Sequence, residues 1–231
     1  LVKSLFNMSE IKPGSKILDP FCGSGTTTLE GHLNGYQTFG CDLNPLAVKI
    51  SQVKVEILNL GPNKFQKIIS KFLDTLNDKI DVQNPIENFS ENCRDEIIRW
   101  FPAKVLTKLV FILRKIDDVD NAEIRQFLLV VLSSIIRNIS QQDPTDLRIR
   151  KRKILINNAP VLELYKKTLD IQIKKIIKFF TIKNSFEGTF YDPNIWLGDS
   201  RDPFSLTDKI KSKVDAIFTS PPYATALPYI D

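Results

Sequence analysis

Ile17-Leu18-Asp19-Pro20-Phe21-Cys22-Gly23-Ser24-Gly25-Thr26-Thr27 decides how the N-terminal part of this chain folds. The short apolar run from Lys16 to Asp19 follows Pro13-Gly14 and ends in a glycine-rich turn, which reads as a buried strand. Thr26 to Asn34 suits a helix stopped by Gly35. Gln37 to Cys41 reads as a second strand ending at Asp42, and Pro45 to Val55 as a second helix with proline in its first turn. Strand, helix, strand, helix is the start of a parallel α/β sheet. Gly23 and Gly25 remove Cβ atoms that would block a close ligand, and they permit positive φ. No lysine follows Gly25 as a Walker loop requires, and the third glycine of a dinucleotide fingerprint is missing. Asp42 lies 17 residues beyond Gly25, at the end of the next strand, where a carboxylate can accept both hydroxyls of a ribose.

Beyond this block the pattern changes. From Asn63 to Thr181 apolar residues recur at spacings of three and four, as in Phe65, Ile68, Ile69, Phe72, Leu73 and Leu76, or Val105, Leu109, Ile112, Leu113 and Ile116. Glu123 to Ile139 predicts a long, mostly apolar helix, and Leu162 to Phe180 an amphipathic one with a lysine face. The α/β signature returns with Asn194 to Leu197, then Gly198-Asp199-Ser200, and with Val214 to Thr219 running into Ser220-Pro221-Pro222-Tyr223. Residues 63–185 thus read as an all-helical insertion in one α/β core made of 1–62 and 186–231.

The chain has 231 residues, 42% of them hydrophobic, with 9 glycines, a level typical of globular domains. The longest apolar run, Phe127 to Ile136, is broken by Ser133 and Ser134 and falls short of the roughly 20 residues that cross a bilayer, so no membrane partner is expected. Three cysteines (Cys22, Cys41, Cys93) and no CxxC suggest reduced thiols in a cytoplasmic setting. With His32 the only histidine, neither a zinc site nor a histidine-based triad is expected. The net charge of +5 is uneven: Gly61 to Ser185 holds 23 Lys/Arg against 15 Asp/Glu, while the flanks hold 9 against 12. A basic middle section in a mildly acidic frame fits contact with a polyanion. Its densest cluster is Arg148-Ile149-Arg150-Lys151-Arg152-Lys153, for which a solvated loop is the alternative.

Asp19-Pro20-Phe21-Cys22-Gly23-Ser24-Gly25-Thr26-Thr27 together with Thr219-Ser220-Pro221-Pro222-Tyr223 resembles the amino-methylating DNA methyltransferases, which depend on S-adenosylmethionine. The matched segments, Ile11 to Val55 and Trp196 to Tyr223, cover about a third of the chain, and the pair of motifs is specific. The resemblance implies a Rossmann-like methyltransferase sheet. It also implies that Asp19, Phe21, Gly23, Gly25 and Thr26 cradle the methionine part of the cofactor. Asp42 would hold the ribose, with Leu43 and Asn44 beside the adenine. Asp199 and Ser200 match the position that contacts the adenine amino group, with a helix N-cap as the alternative. Cys22 and Cys41 are read as small packing residues.

The second motif has its own chemical logic. An exocyclic amino group is a poor nucleophile because its lone pair is delocalised into the ring. If the Ser220 hydroxyl and the Pro221 carbonyl accept its hydrogens, the lone pair can turn toward the methyl donor, a matter of positioning and electrostatics. Pro221 and Pro222 stiffen the loop, and Tyr223 can stack on a base swung out of the duplex. Serine at the first position resembles the cytosine-N4 enzymes more than the adenine-N6 ones. DNA is therefore the expected partner, with Arg148, Arg150, Lys151, Arg152 and Lys153 as candidate nucleic-acid contacts. The rival readings are an RNA (tRNA) guanine-N2 methyltransferase and a non-catalytic DNA-binding scaffold. Only four of the family's seven strands can be placed, and most of any helix before Asp19 is expected to be missing. The sheet is thus expected to be completed by a missing C-terminal part or a complementing chain, and the chain alone to be poorly active.

Overall fold

The computed structural model describes residues 2–146, 148–183 and 189–220. Along the chain run α1 (Val2–Met8), β1 (Lys16–Asp19), α2 (Thr26–Leu33), β2 (Gln37–Asp42), α3 (Pro45–Asn59), α4 (Pro62–Thr75), a 3-10 turn (Pro85–Asn88) and α5 (Glu91–Trp100). There follow α6 (Ala103–Asp117), α7 (Ala122–Ile139), α8 (Val161–Lys183), β3 (Asn194–Leu197), α9 (Pro203–Ile210) and β4 (Ala216–Ile217). The chain divides into two compact units, one of Leu1–Asn59 with Ile182–Ile230, the other of Leu60–Thr181.

The first unit is built on a four-stranded parallel sheet of order β3-β2-β1-β4. Successive residues of a strand face opposite sides. On one side Ile17 packs with Phe6 of α1 and Tyr36, and Ile195 packs with Cys22 and with Val48 and Val55 of α3. On the other, Leu18, Cys41 and Trp196 meet Leu206 and Ile210 of α9. Helices on both faces are what a parallel sheet requires, because its strands are apolar on both sides. β2 and β3 extend the sheet on one side of β1, whereas β4 pairs on the other. The order therefore reverses between β1 and β4, and in such sheets ligands bind beyond the carboxyl ends of the strands at that reversal. The fold is a parallel α/β sheet with a helical insertion.

The second unit is helical, with a core that follows the spacing of three and four. Phe65, Val105, Ile112, Ile116, Ile124, Leu128, Tyr165 and Leu169 are fully buried. Phe65 meets the edges of Phe127 and Phe180 at ring distances of 6.0 and 5.9 Å. The Asn121 side chain caps α7 by accepting from the Ile124 amide at 2.9 Å, and the buried Tyr165 hydroxyl donates to the Leu128 carbonyl at 3.1 Å. No helix among the described residues is long and apolar enough to cross a membrane.

A short helix, α1, precedes β1, and Phe6 anchors it to Ile17 and Tyr36. The structure differs from expectation in four places. The second helix runs on to Asn59 because Ile57 and Leu58 are buried, and Gly61, at φ +78°, separates it from Pro62. The strand expected over Val214–Thr219 is regular only at Ala216–Ile217, although Asp215 and Phe218 still donate to the carbonyls of Lys16 and Leu18. α9 is not among the expected elements, its eight residues being fewer than the window over which helical spacing stands out. Within the helical insertion, the described residues from Ser140 to Pro160 form no helix, and Gln142 and Lys151 form an antiparallel bridge there.

Candidate active site

The loop after β1 is held by carboxylates turned into it. Asp19 is buried and accepts from the Phe21 amide at 3.1 Å and from the hydroxyls of Thr27 and Thr219. Burial is the largest influence on its carboxyl and raises its pKa against the lowering effect of those bonds. Asp19 thus joins the start of α2 to Thr219, just beyond β4. Asp42 accepts from the Gly23 amide at 2.8 Å through Oδ2 and from the Asn44 amide at 2.8 Å through Oδ1. Each oxygen keeps lone-pair capacity for a further donor.

The two glycines play different parts. A Cβ on Gly25 (φ +81°) would lie 2.0 Å from Ser51 Oγ of α3, so its missing side chain makes room for α3 rather than for a ligand. Gly23 (φ +51°) has no atom within 4 Å of such a Cβ, so the crest of the loop is open. Two residues of α3 unread in the sequence complete the support. Ser51 Oγ and Thr28 Oγ1 are hydrogen-bonded at 3.1 Å, and Lys54, its pKa lowered by burial, donates to the Ser24 carbonyl at 2.7 Å. Their only signal is position, one and two turns into a helix that lies over the loop. Cys22 and Cys41 are buried, and burial pushes the Cys22 thiol up to about 12, so both act as packing residues. His32 is also a packing residue, its Nδ1 lying 2.8 Å from the Tyr191 carbonyl oxygen.

At the end of β3 the Ser200 hydroxyl donates to the Pro20 carbonyl and lies in hydrogen-bonding contact with Cys41. Asp199 accepts from the Arg201 amide at 3.0 Å and from its guanidinium at 2.6 Å, which holds the carboxyl down at about 2. Ser200 thus braces the first loop, and Asp199 closes a turn ahead of α9. Apolar side chains stay exposed at the strand ends, among them Phe21 (38%), Leu43 (54%), Ile217 (59%) and Leu197 (56%), the last paired in register with Asp42. Of the second motif, Thr219 and Ser220 lie beyond the end of β4 and are exposed. Pro221, Pro222 and Tyr223 lie outside the described residues.

In the helical unit the basic cluster is a strap folded against the end of α7. Arg152 is largely committed to structure, donating to the carbonyls of Ser140 (3.0 Å) and Asn138 (2.9 Å). Arg150 pairs with Asp146 at 3.2 Å, and the Lys151 ammonium lies 5.7 Å from the Trp100 ring centre. Arg148 and Lys153 face solvent. The five basic residues are thus unequal, a distinction that a run of like charges cannot carry.

Residues 1–77 match the family described as UPF0020, RMKL-like, methyltransferase domain. Over 96% of its length the chain is 24% identical to Type II methyltransferase M.MvaI of Kocuria varians, covering 50% of that protein. It is 23% identical over 99% of its length to Type II methyltransferase M.MjaII of Methanocaldococcus jannaschii, covering 56%. Nearly the whole chain is thus similar to Type II methyltransferases, and its first third to a methyltransferase domain. A tRNA (guanine(10)-N2)-dimethyltransferase of Methanocaldococcus jannaschii is 30% identical over 42% of the chain, which covers 30% of that protein. No solved structure matches. The chain spans about half the length of the two Type II relatives.

Similarity to methyltransferases implies S-adenosylmethionine as methyl donor, and the rim fits such a group. The crest at Gly23 is open, Asp42 has acceptor capacity beyond its two amides, and apolar side chains flank both.

Proposed function

We propose that this methyltransferase transfers a methyl group from S-adenosylmethionine to the exocyclic amino nitrogen of cytosine (N4) or adenine (N6) in DNA, as the modification half of a restriction–modification pair. The observation that carries the choice of DNA is coverage. The Type II relatives align over 96% and 99% of the chain, helical unit included, whereas the tRNA enzyme aligns over 42%. The tRNA guanine-N2 reading keeps a place because the motif-bearing segment is shared with that enzyme class.

On this reading the open backbone at Gly23, with Phe21 and Thr26, holds the methionine part of the cofactor, while Asp42 accepts the ribose hydroxyls. Leu43 and Asn44 lie along the adenine, and Asp199 and Ser200 close the far side. The cofactor supplies an electrophilic methyl. The chain's own contribution is to place the amino nitrogen: the Ser220 hydroxyl and the Pro221 carbonyl accept its hydrogens, and Tyr223 stacks on the everted base. Asp19 supports this placement, because its bond from Thr219 fixes the start of the second loop relative to the first.

The test is tritiated methyl transfer by the full-length protein to duplex DNA and to tRNA, followed by nucleoside analysis. Label in N4-methylcytosine or N6-methyladenine of DNA is the expected result. Label confined to guanine in tRNA would replace this reading with the RNA one. Failure to bind S-adenosylmethionine at all would leave the chain as a scaffold.

A further inference from the structure

The strap at the end of α7 carries more than charge. Gln141 closes its base, its side-chain amide donating to the Ile156 carbonyl at 2.7 Å while its oxygen accepts from the Ile156 amide at 3.1 Å. Asp143 donates to the Arg150 carbonyl at 2.7 Å, Arg152 donates its amide to Gln141 at 2.8 Å, and its guanidinium sits on Ser140 and Asn138. Arg152 and Ile156 are therefore both tied down, and the three residues between them, Lys153-Ile154-Leu155, form a tip. Ile154 is 85% exposed and Leu155 59%. Ile149, on the same strap, is 55% exposed.

Large aliphatic side chains on a braced turn cannot relieve their exposure by collapsing, and such exposure in a soluble domain marks a contact surface. The interleaved cations narrow the choice of contact. The centre of a protein–protein patch is depleted in charge, and membrane-surface segments are amphipathic helices, whereas this strap is neither uncharged nor helical. Aliphatic side chains flanked by Arg and Lys match the chemistry of a stacked base step between two phosphate backbones, where apolar wedges enter and unstack the pair.

We propose that Ile154 and Leu155 form a wedge that enters between base pairs of a DNA duplex, with Arg148 and Lys153 on the flanking phosphates. The proposal rests on DNA being the substrate. It adds a duplex-distorting element in the helical unit, separate from both loops of the sheet. Burial of two aliphatic side chains offsets the unstacking of one base step, and the phosphate contacts hold the duplex against the strap.

The experiment uses the full-length protein and a pool of mixed-sequence duplexes, each carrying one 2-aminopurine whose fluorescence rises when it unstacks. The unaltered chain should bind in a salt-dependent way and raise the signal. Ile154→Ala with Leu155→Ala should lose the rise while keeping binding and its salt slope, and thermal melting should be unchanged because both side chains face water. Arg148→Ala with Lys153→Ala should instead lower the salt slope by about 0.9 per lost phosphate contact. A rise that persists in the tip variant, or binding by the unaltered chain without any rise, would overturn the wedge and leave the DNA reading standing. Loss of all binding in the tip variant would make the tip a docking face and also overturn the wedge. No duplex binding by the unaltered chain would overturn the DNA reading itself.

Discussion

At the sheet rim Asp19, Asp42 and Ser200 turn inward, each bonded to a neighbouring amide, hydroxyl or carbonyl, whereas on the strap Arg148, Lys153, Ile154 and Leu155 face water. Both regions are held by hydrogen bonds that close loops. They differ in what is left over. The rim leaves an open backbone crest and spare lone pairs, a preorganised cradle for a small molecule. The strap leaves unpaired charge and bare aliphatic surface, which a large charged polymer can cover. Loop bracing is common to both, so the residue types left unbraced decide which kind of ligand each suits.

The largest effect that can break this contrast lies at the two glycines. Gly25→Ala combines a positive φ with a Cβ 2.0 Å from Ser51 Oγ. The expected loss is about 3 kcal/mol, from left-handed strain and overpacking together. Gly23→Ala meets no atom, so its stability loss should stay at the strain of about 1–2 kcal/mol. Its cost should instead appear in cofactor binding, because the new methyl group occupies the open crest. Chemical denaturation beside calorimetric titration with S-adenosylmethionine separates the two, and equal stability losses would erase the distinction. Next in size is Asp42→Ala. It leaves the Gly23 and Asn44 amides without their charged acceptor and should weaken cofactor binding by on the order of 100-fold, about 3 kcal/mol. Undiminished affinity would remove Asp42 from the site.

On the strap the comparison sharpens within a single run of charge. Arg152→Ala strips two carbonyls at the end of α7 of their donor and should cost about 1–2 kcal/mol in denaturant unfolding. Arg148→Ala and Lys153→Ala should each change stability by less than about 0.5 kcal/mol. If Arg152→Ala proved equally silent, the division of the cluster into bracing and free residues would fail.

The legible parts were those with strong local signals. The Lys16–Asp19 strand, its glycine turn and Asp42 are each visible in a few residues, whereas the order that sets β3 beside β2 and β4 beside β1 is not. The apolar spacing at Phe65 or Leu109 likewise marks helices that bury one stripe. What stayed hidden depended on contacts between distant residues. Nothing local shows that Gly25 faces Ser51, that Thr219 reaches Asp19, or that α1 is secured by Phe6 and Val2. The same holds for Arg152: its neighbours in sequence are equally basic, and only the fold of the strap against α7 sets it apart.

The smallest expected effect concerns Asp199. Arg201 holds its carboxyl at about 2, below the ordinary 3.8, chiefly through the guanidinium and then through the backbone amide. A depressed pKa favours the folded state above pH 3.8, and that contribution fades as pH falls through about 2. The pair is exposed, so its influence on unfolding should be slight and salt-sensitive. The carboxyl signal itself is the sharper readout. In Arg201→Ala the Asp199 carbon resonance, followed by NMR, should titrate at higher pH yet still below 3.8, because the amide at 3.0 Å remains. A midpoint still at about 2 would assign the depression to the turn. Asp199 would then be fixed by backbone geometry, as the rim carboxylates are, and not by a side chain that a ligand could displace.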